Sequence, residues 1–548
     1  MPKSTIQLLF FLFATTLSAA AGAGTARVHG PAIKAHTAFL ADDLLEGREA
    51  GERGYEIAAA YVAAQFQALD LEPGNGSGGY FQAVPLRERS LVSGSVSFEL
   101  RHGGRTLQLE NGKDVAIDAS RYELDQTIEA EIVFAGWGIS APGIGQDDYA
   151  GLNVKGKAVV VLEGAPASFP GALRAHYTWP RQKERAAAER GAVALLMVKS
   201  PARERWSPFE RTRRLKPLPQ LDWSEPGGAA TGATTRATIS LSPALARDMF
   251  ARAGRDLERI FRESEAKPPR GFKLAQSMHM KRKSTHRDMS SSNVLGILRG
   301  TDPQVADEYV VVAAHLDHDG IGEPVNGDRI YNGAVDNAGG VATMLEVARV
   351  IRAKGGTRRS ILFFATTAEE KGLLGSEFFV AHPTLPLERM VAAISVDGLM
   401  AFHDFGGIVA LGEELSTLGE ISRAAATAIE AVHVPDPIPD RGNLALSDQY
   451  PFLTAGVPVL FPNPAPGQPR GGDDGLAAWE SYEKNSYHQP SDDMKLPLRW
   501  DVAQRWGDYI EALVRGAADA QQRPTWYEGD VLAEVFAPRG ARAKRPAS

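Results

Sequence analysis

Hydrophobic spacing along the chain changes character three times. From 36 to 70 the apolar positions recur with the helical period, and the Ala-rich run 58–66 is a strong amphipathic helix pattern. The pattern predicts two helices there, separated by a glycine turn near Gly47 and Gly51. A glycine loop at 74–79 leads into alternating short strands from 81 to about 117. Between 129 and 265 the apolar residues come in short continuous runs at 132–139, 158–162 and 192–198, with a helix over 183–190. Those runs predict buried strands in a β-rich block. A polar stretch dense in Lys and Arg follows and reads as a linker over 266–291.

From 292 the texture becomes strand–helix–strand. Buried strands are predicted at 309–314, 360–366 and 390–396, with a helix over 341–353. Alternation of this kind predicts an α/β fold, a central sheet with helices on both faces. Ligands of such sheets bind beyond the carboxyl ends of the strands. His315, Glu369-Glu370 and Asp397 all fall just after predicted strands.

Composition narrows the chemistry. At 548 residues the chain is too long for one core, so two or more domains are expected. A net charge of −7 gives no basic footprint for nucleic acid. There is no cysteine, which excludes disulfides, thiol nucleophiles and thiolate metal ligands together. Any metal must be held by His, Asp and Glu, which favours a catalytic over a structural site. Lys3, the apolar run 8–17 and the small residues after it have the arrangement of a secretory signal peptide over 1–23. Export to the periplasm or the extracellular space is expected, with no membrane attachment after cleavage.

Two histidines and a set of carboxylates stand out. His315-Leu316-Asp317-His318 places His315 and Asp317 on one face of an extended segment, where the acid can orient the imidazole. His318 is a competing ligand, and His315 is preferred. Asp336, in Gly333-Ala334-Val335-Asp336-Asn337, could cap the helix that follows. Glu369-Glu370 could be an ordinary helix start. With Asp397 and His488 added, the set suits two divalent metals, able to bind a peptide carbonyl and generate hydroxide near neutral pH.

The ordered motifs His315-Leu316-Asp317, Gly333-Ala334-Val335-Asp336-Asn337, Glu369-Glu370-Lys371-Gly372-Leu373, Asp397 and Tyr487-His488 resemble the secreted di-zinc aminopeptidase family. Glutamate carboxypeptidases and the transferrin-receptor ectodomain are also in it. The resemblance implies a mixed central sheet sandwiched by helices, of the phosphorylase/hydrolase-like type, with an inserted protease-associated domain over 129–265. The peptidase domain would comprise 24–128 and 292–520, and 521–548 a tail. It implies two Zn2+ ions bridged by Asp336, with His315 and Asp397 completing one site and Glu370 and His488 the other. Glu369 would be the general base, Asp317 the support for His315, and a cis peptide would follow Asp336. The substrate would be a peptide with a free N-terminus. A carboxypeptidase, a glutaminyl cyclase and a non-catalytic receptor-like protein are the alternatives, and a carboxypeptidase would need arginines such as Arg441 or Arg470. The chain departs from the family at Gly339, where many relatives have Ser. It departs again in Ser447-Asp448-Gln449-Tyr450, where Gln449 replaces a His and the alternative hydroxyls are those of Tyr450 and Tyr487.

Overall fold

The computed structural model describes residues 26–224, 234–470 and 474–546. The signal segment expected at 1–23 lies outside them. Among the described residues, no helix is long and apolar enough to cross a membrane.

The architecture is mixed α/β. Strands β1 (Phe81–Leu91), β2 (Phe272–Leu298), β3 (Tyr309–His315), β4 (Ser360–Thr366), β5 (Met390–Ser395) and β6 (Val459–Pro464) form the main sheet in the order β1-β2-β4-β3-β5-β6. The four strands from β4 to β6 run parallel, and β2 is antiparallel to β1 and β4. Every residue of β3, β4 and β5 is buried, as their continuous apolar runs require of strands covered on both faces. Helices α1 (Gly30–Leu40), α2 (Arg53–Ala68), α3 (Gly339–Ala353) and α4 (Trp500–Asp519) cover one face through Ile33, Val62, Phe66, Val347, Ile351, Trp506 and Leu513. Each such side chain stabilises the layer by about 1.5–3 kcal/mol. Shorter helices around Phe379, Phe452 and Leu532 cover the other.

The stretch expected to be a linker is instead part of β2, a strand of 27 residues that belongs to two sheets. Residues 284–294 pair with β1 in the main sheet, whereas 272–283 pair with the strand Asp125–Phe134 of a second β-rich unit. The basic residues hide a strict alternation. Leu274, Gln276, Met278, Met280 and Arg282 point inward, and Lys281 and Lys283 point to solvent. Arg282 is buried because its guanidinium donates to Gln126 Oε1, Asp118 O and Arg236 O at 2.6–2.9 Å. The second unit's core also begins earlier than residue 129, taking in Phe98, Leu100, Val115 and Ile117.

Helix Gly171–Thr178, between strands of the second unit, docks on the main sheet through Ala172, Leu173 and Ala175. There His176 Nδ1 lies 2.8 Å from the Tyr450 hydroxyl. Burial, with Arg185 adding to it, pushes the imidazole down to about 3. The unfolded chain binds this proton below about pH 6.5 and the folded chain does not, so stability falls on acidification. Between pH 6.5 and 5 the loss is roughly 2 kcal/mol. We expect H176Q to lack this increment, so its denaturant midpoint relative to wild type should improve from pH 7 to pH 5. A constant difference across that range would contradict the assignment.

Candidate metal centre

The site lies at the carboxyl ends of the parallel strands. His315 is the last residue of β3, Glu369 and Glu370 follow β4 after Ala368, which has φ +53°, and Asp397 follows β5. Asp336 precedes α3, and the Asp336–Asn337 peptide is cis. Its carboxylate does not cap that helix. Close packing explains the glycines here. A Cβ on Gly340 would stand 1.9 Å from Asn337 Oδ1, and one on Gly339 would stand 2.4 Å from Leu399 Cβ. The Leu399 side chain thus fills the space beside Gly339.

His315 donates Nδ1–H to the Asp317 carbonyl at 3.2 Å, which leaves Nε2 facing 3.0 Å from Asp336 Oδ1 and 3.2 Å from Asp397 Oδ1. The other oxygen of Asp336 points away from His315, 3.3 Å from His488 Nε2, and that nitrogen is also 3.2 Å from Glu370 Oε2. Asp336 therefore stands between the two histidines. His318 donates Nδ1–H to Glu370 Oε1 at 2.7 Å, and its buried Nε2 has no hydrogen-bond partner.

Asp317 works differently from the expected carboxylate–imidazole contact. Its Oδ1 and Oδ2 accept from the amides of Glu369 and Glu370 at 3.1 and 3.2 Å, so it holds the backbone of the acid pair. The contact with His315 runs through the Asp317 carbonyl. Asp492 grips the other loop, accepting from the amides of Val335 and Asp336 at 2.9 and 3.1 Å and from the Tyr482 hydroxyl. Asp319 Oδ2 lies 3.4 Å from His488 Nδ1, and its Oδ1 is 3.6 Å from Lys371 Nζ. Asp319 and Asp492 were not singled out from the sequence, although each stands within four residues of a chosen histidine.

The electrostatics are those of carboxylates crowded around imidazoles. Burial lowers the affinity of His315 for its proton, but Glu369 and Asp397 outweigh it and hold the group well above its usual range. Burial likewise opposes, and Glu370, Asp336 and Asp319 overcome it, so that His488 is pushed up to about 10. Burial favours the neutral acid at Asp336, yet hydrogen bonds from His315 and His488 keep it well below the carboxylate range. Burial raises Glu369 well above its usual value, with Asp397 and Glu370 adding to it. Burial also raises Asp317 to about 7.

The donor set fits a divalent cation. In the groups His315, Asp336, Asp397 and His318, Asp336, Glu370, the donor atoms lie within 4.8 Å of one another. All donors are imidazole nitrogens or carboxylate oxygens, the ligand types of an open catalytic site. These two groups share Asp336, while two further groups within the same reach, His315, Glu369, Glu370 and Asp319, Glu370, His488, share Glu370.

Other residues named from the sequence stand apart. Tyr450 is buried against His176, and Gln449 is buried with Nε2 donating to the Leu444 carbonyl at 2.7 Å. Arg470 pairs with Glu430 at the surface. Arg441 pairs with Glu483 at 2.9 Å and stacks on Tyr487, whose ring centroid is 4.1 Å from that of His488. From the second unit, Arg203 donates to Arg441 O and Arg211 lies 6.0 Å from the Tyr487 ring, so that unit reaches the flank of the site.

Residues 293–514 match peptidase family M28. A stretch of 115 residues is 42% identical to the aminopeptidase NAALADL1 of Mus musculus, covering 20% of this chain and 14% of that protein. Aminopeptidase YwaD of Bacillus subtilis (strain 168) is 26% identical over 242 residues, 43% of this chain and 47% of its own length. These alignments span less than half the length of either relative. The fold is similar to that of the aminopeptidase from Aneurinibacillus sp. strain AM-1, with a TM-score of 0.51 at 19% identity, covering 91% of this chain and 96% of that one.

Proposed function

We propose that this chain, whose residues 293–514 match peptidase family M28, is an exported zinc aminopeptidase that removes N-terminal residues from peptides. The observation that carries the reading is the Asp336 carboxylate, with one oxygen toward His315 and the other toward His488, beside the buried acid Glu369. We read His315, Asp336 and Asp397 as the holders of one ion and Asp336, Glu370 and His488 as the holders of a second. Bound there, two zinc ions would supply the positive charge that polarises a peptide carbonyl and makes water a nucleophile near neutral pH.

The chain's own residues do the remaining work. Glu369 takes the proton of the attacking water and passes it to the leaving amine. Its raised proton affinity suits a group that must hold a proton and then release it. Asp317 fixes Glu369 and Glu370 by their amides, and Asp492 does the same for Asp336. The acid-rich rim, with Asp319 and Glu49 joined through Lys371, favours the cationic α-amine of a peptide. We read the second unit, centred on 129–265, as a protease-associated domain that walls the substrate side through Arg211 and Arg203.

The test is mass spectrometry of one peptide pool carrying free, acetylated and glutaminyl N-termini, with zinc and with chelator. Stepwise, zinc-dependent shortening of the free N-termini alone is expected. Cyclisation of the glutaminyl peptides, cleavage from the C-terminus or an untouched pool would each reject the aminopeptidase and favour the corresponding alternative.

A further inference from the structure

Arg48 belongs to none of the metal-ligating groups, yet its side chain is 1% exposed, among the largest so deeply buried in the chain. It ends the 3-10 turn Asp43–Arg48, with φ +52°, and its carbonyl accepts from His318 N at 3.2 Å. Its guanidinium reaches four backbone carbonyls. Nε donates to Leu316 O at 2.8 Å, Nη1 to Asn332 O at 2.6 Å and to Leu40 O, and Nη2 to Gly333 O at 3.0 Å. Leu316 lies between His315 and Asp317, while Asn332 and Gly333 open the loop that carries Asp336. One planar fork thus joins the two ligand-bearing loops.

We propose that Arg48 is the positioning residue of the metal centre: by tying Leu316 O to Asn332 O and Gly333 O, it sets His315 against Asp336. The proposal rests on the reading of the site as a zinc centre. A fixed, planar, five-donor fork meets carbonyls from three segments at once, which an ammonium on a flexible stem cannot do. The Asn332 side chain reinforces the joint from the opposite side, donating to Ala41 O at 3.0 Å and to Asp43 Oδ1 at 2.8 Å. Arg48 also brings a positive charge close to Asp317, Asp492, Asp336 and Glu370.

The test measures zinc affinity by chelator competition on the full chain, with thermal midpoints alongside. R48K is expected to weaken zinc binding at least tenfold, the scale of losses when outer partners of metal ligands are removed. In activity, kcat should fall more than KM rises. The comparator is R359K. Arg359 is also buried and donates to the Ala518 and Ala520 carbonyls, but it sits before the first residue of β4, at the strand end opposite the site. It should lower the thermal midpoint and leave zinc affinity within about twofold of wild type. N332A, a milder lesion of the same joint, should weaken zinc binding in the same direction and decides the matter if R48K does not fold. Unchanged affinity in R48K or N332A overturns the proposal, as does an equal loss in R359K. A wild-type chain that binds no zinc overturns the metal reading itself.

Discussion

Replacing Glu369 by Gln is expected to lower kcat by about a thousandfold, within the range general acid–base groups contribute, while zinc content stays at the wild-type level. The two adjacent acids are distinguished by what their oxygens face. Both oxygens of Glu370 are engaged, one 2.7 Å from His318 Nδ1 and the other 3.2 Å from His488 Nε2. On the proposed reading Glu370 is the ligand of the two. Glu369 feels His315 and Asp397 through space, and its proton affinity is raised chiefly by burial. The amide of Gln is nearly the size of the acid but cannot accept and release a proton. E369Q should therefore keep KM near wild type and lose the step in which water is deprotonated. E370Q should behave otherwise and lose zinc. Measured kcat, KM and zinc per chain for both variants decide the assignment; a kcat for E369Q within tenfold of wild type would remove Glu369 from its role.

Much of this site was legible because its chemistry sits where strands end. The continuous apolar runs of β3, β4 and β5 located their carboxyl ends to within a residue or so, and His315, Glu369 and Asp397 were singled out by position as much as by type. What stayed hidden has physical causes. The 272–298 strand alternates inward Met and Arg with outward Lys, so its composition reads as a linker although its period is two. Asp317 was expected to orient an imidazole because His-x-Asp shares a face in extended chain. Beyond His315, however, the chain leaves the strand, and the carboxylate turns to the amides of Glu369 and Glu370. Asp492 and Arg48 act on backbone groups distant in sequence by 156 and 268 residues, and no local spacing encodes such contacts. Gln449, which departs from the family pattern, is turned inward to Leu444.

The second large effect concerns Asp336. A residue that serves one ion differs measurably from one that serves two, and the carboxylate geometry favours the latter, with Oδ1 3.0 Å from His315 Nε2 and Oδ2 3.3 Å from His488 Nε2. Asp336→Ala should therefore weaken both zinc sites together, each by more than the ten- to hundredfold typical of an outer partner, and abolish peptide cleavage. His315→Ala and His488→Ala should each weaken chiefly one site and leave the other measurable. The fold itself should survive, because the loop is held by its backbone: Val335 and Asp336 amides donate to Asp492, and the Val335 carbonyl accepts from Leu399 N at 3.0 Å. Zinc titrations of the three variants, with circular dichroism as the check on folding, read this directly. If Asp336→Ala retained one zinc at wild-type affinity, Asp336 would be a ligand of a single ion. The paired centre would then have to be rebuilt on His318, which lies against Glu370, or on Asp319, which lies against His488.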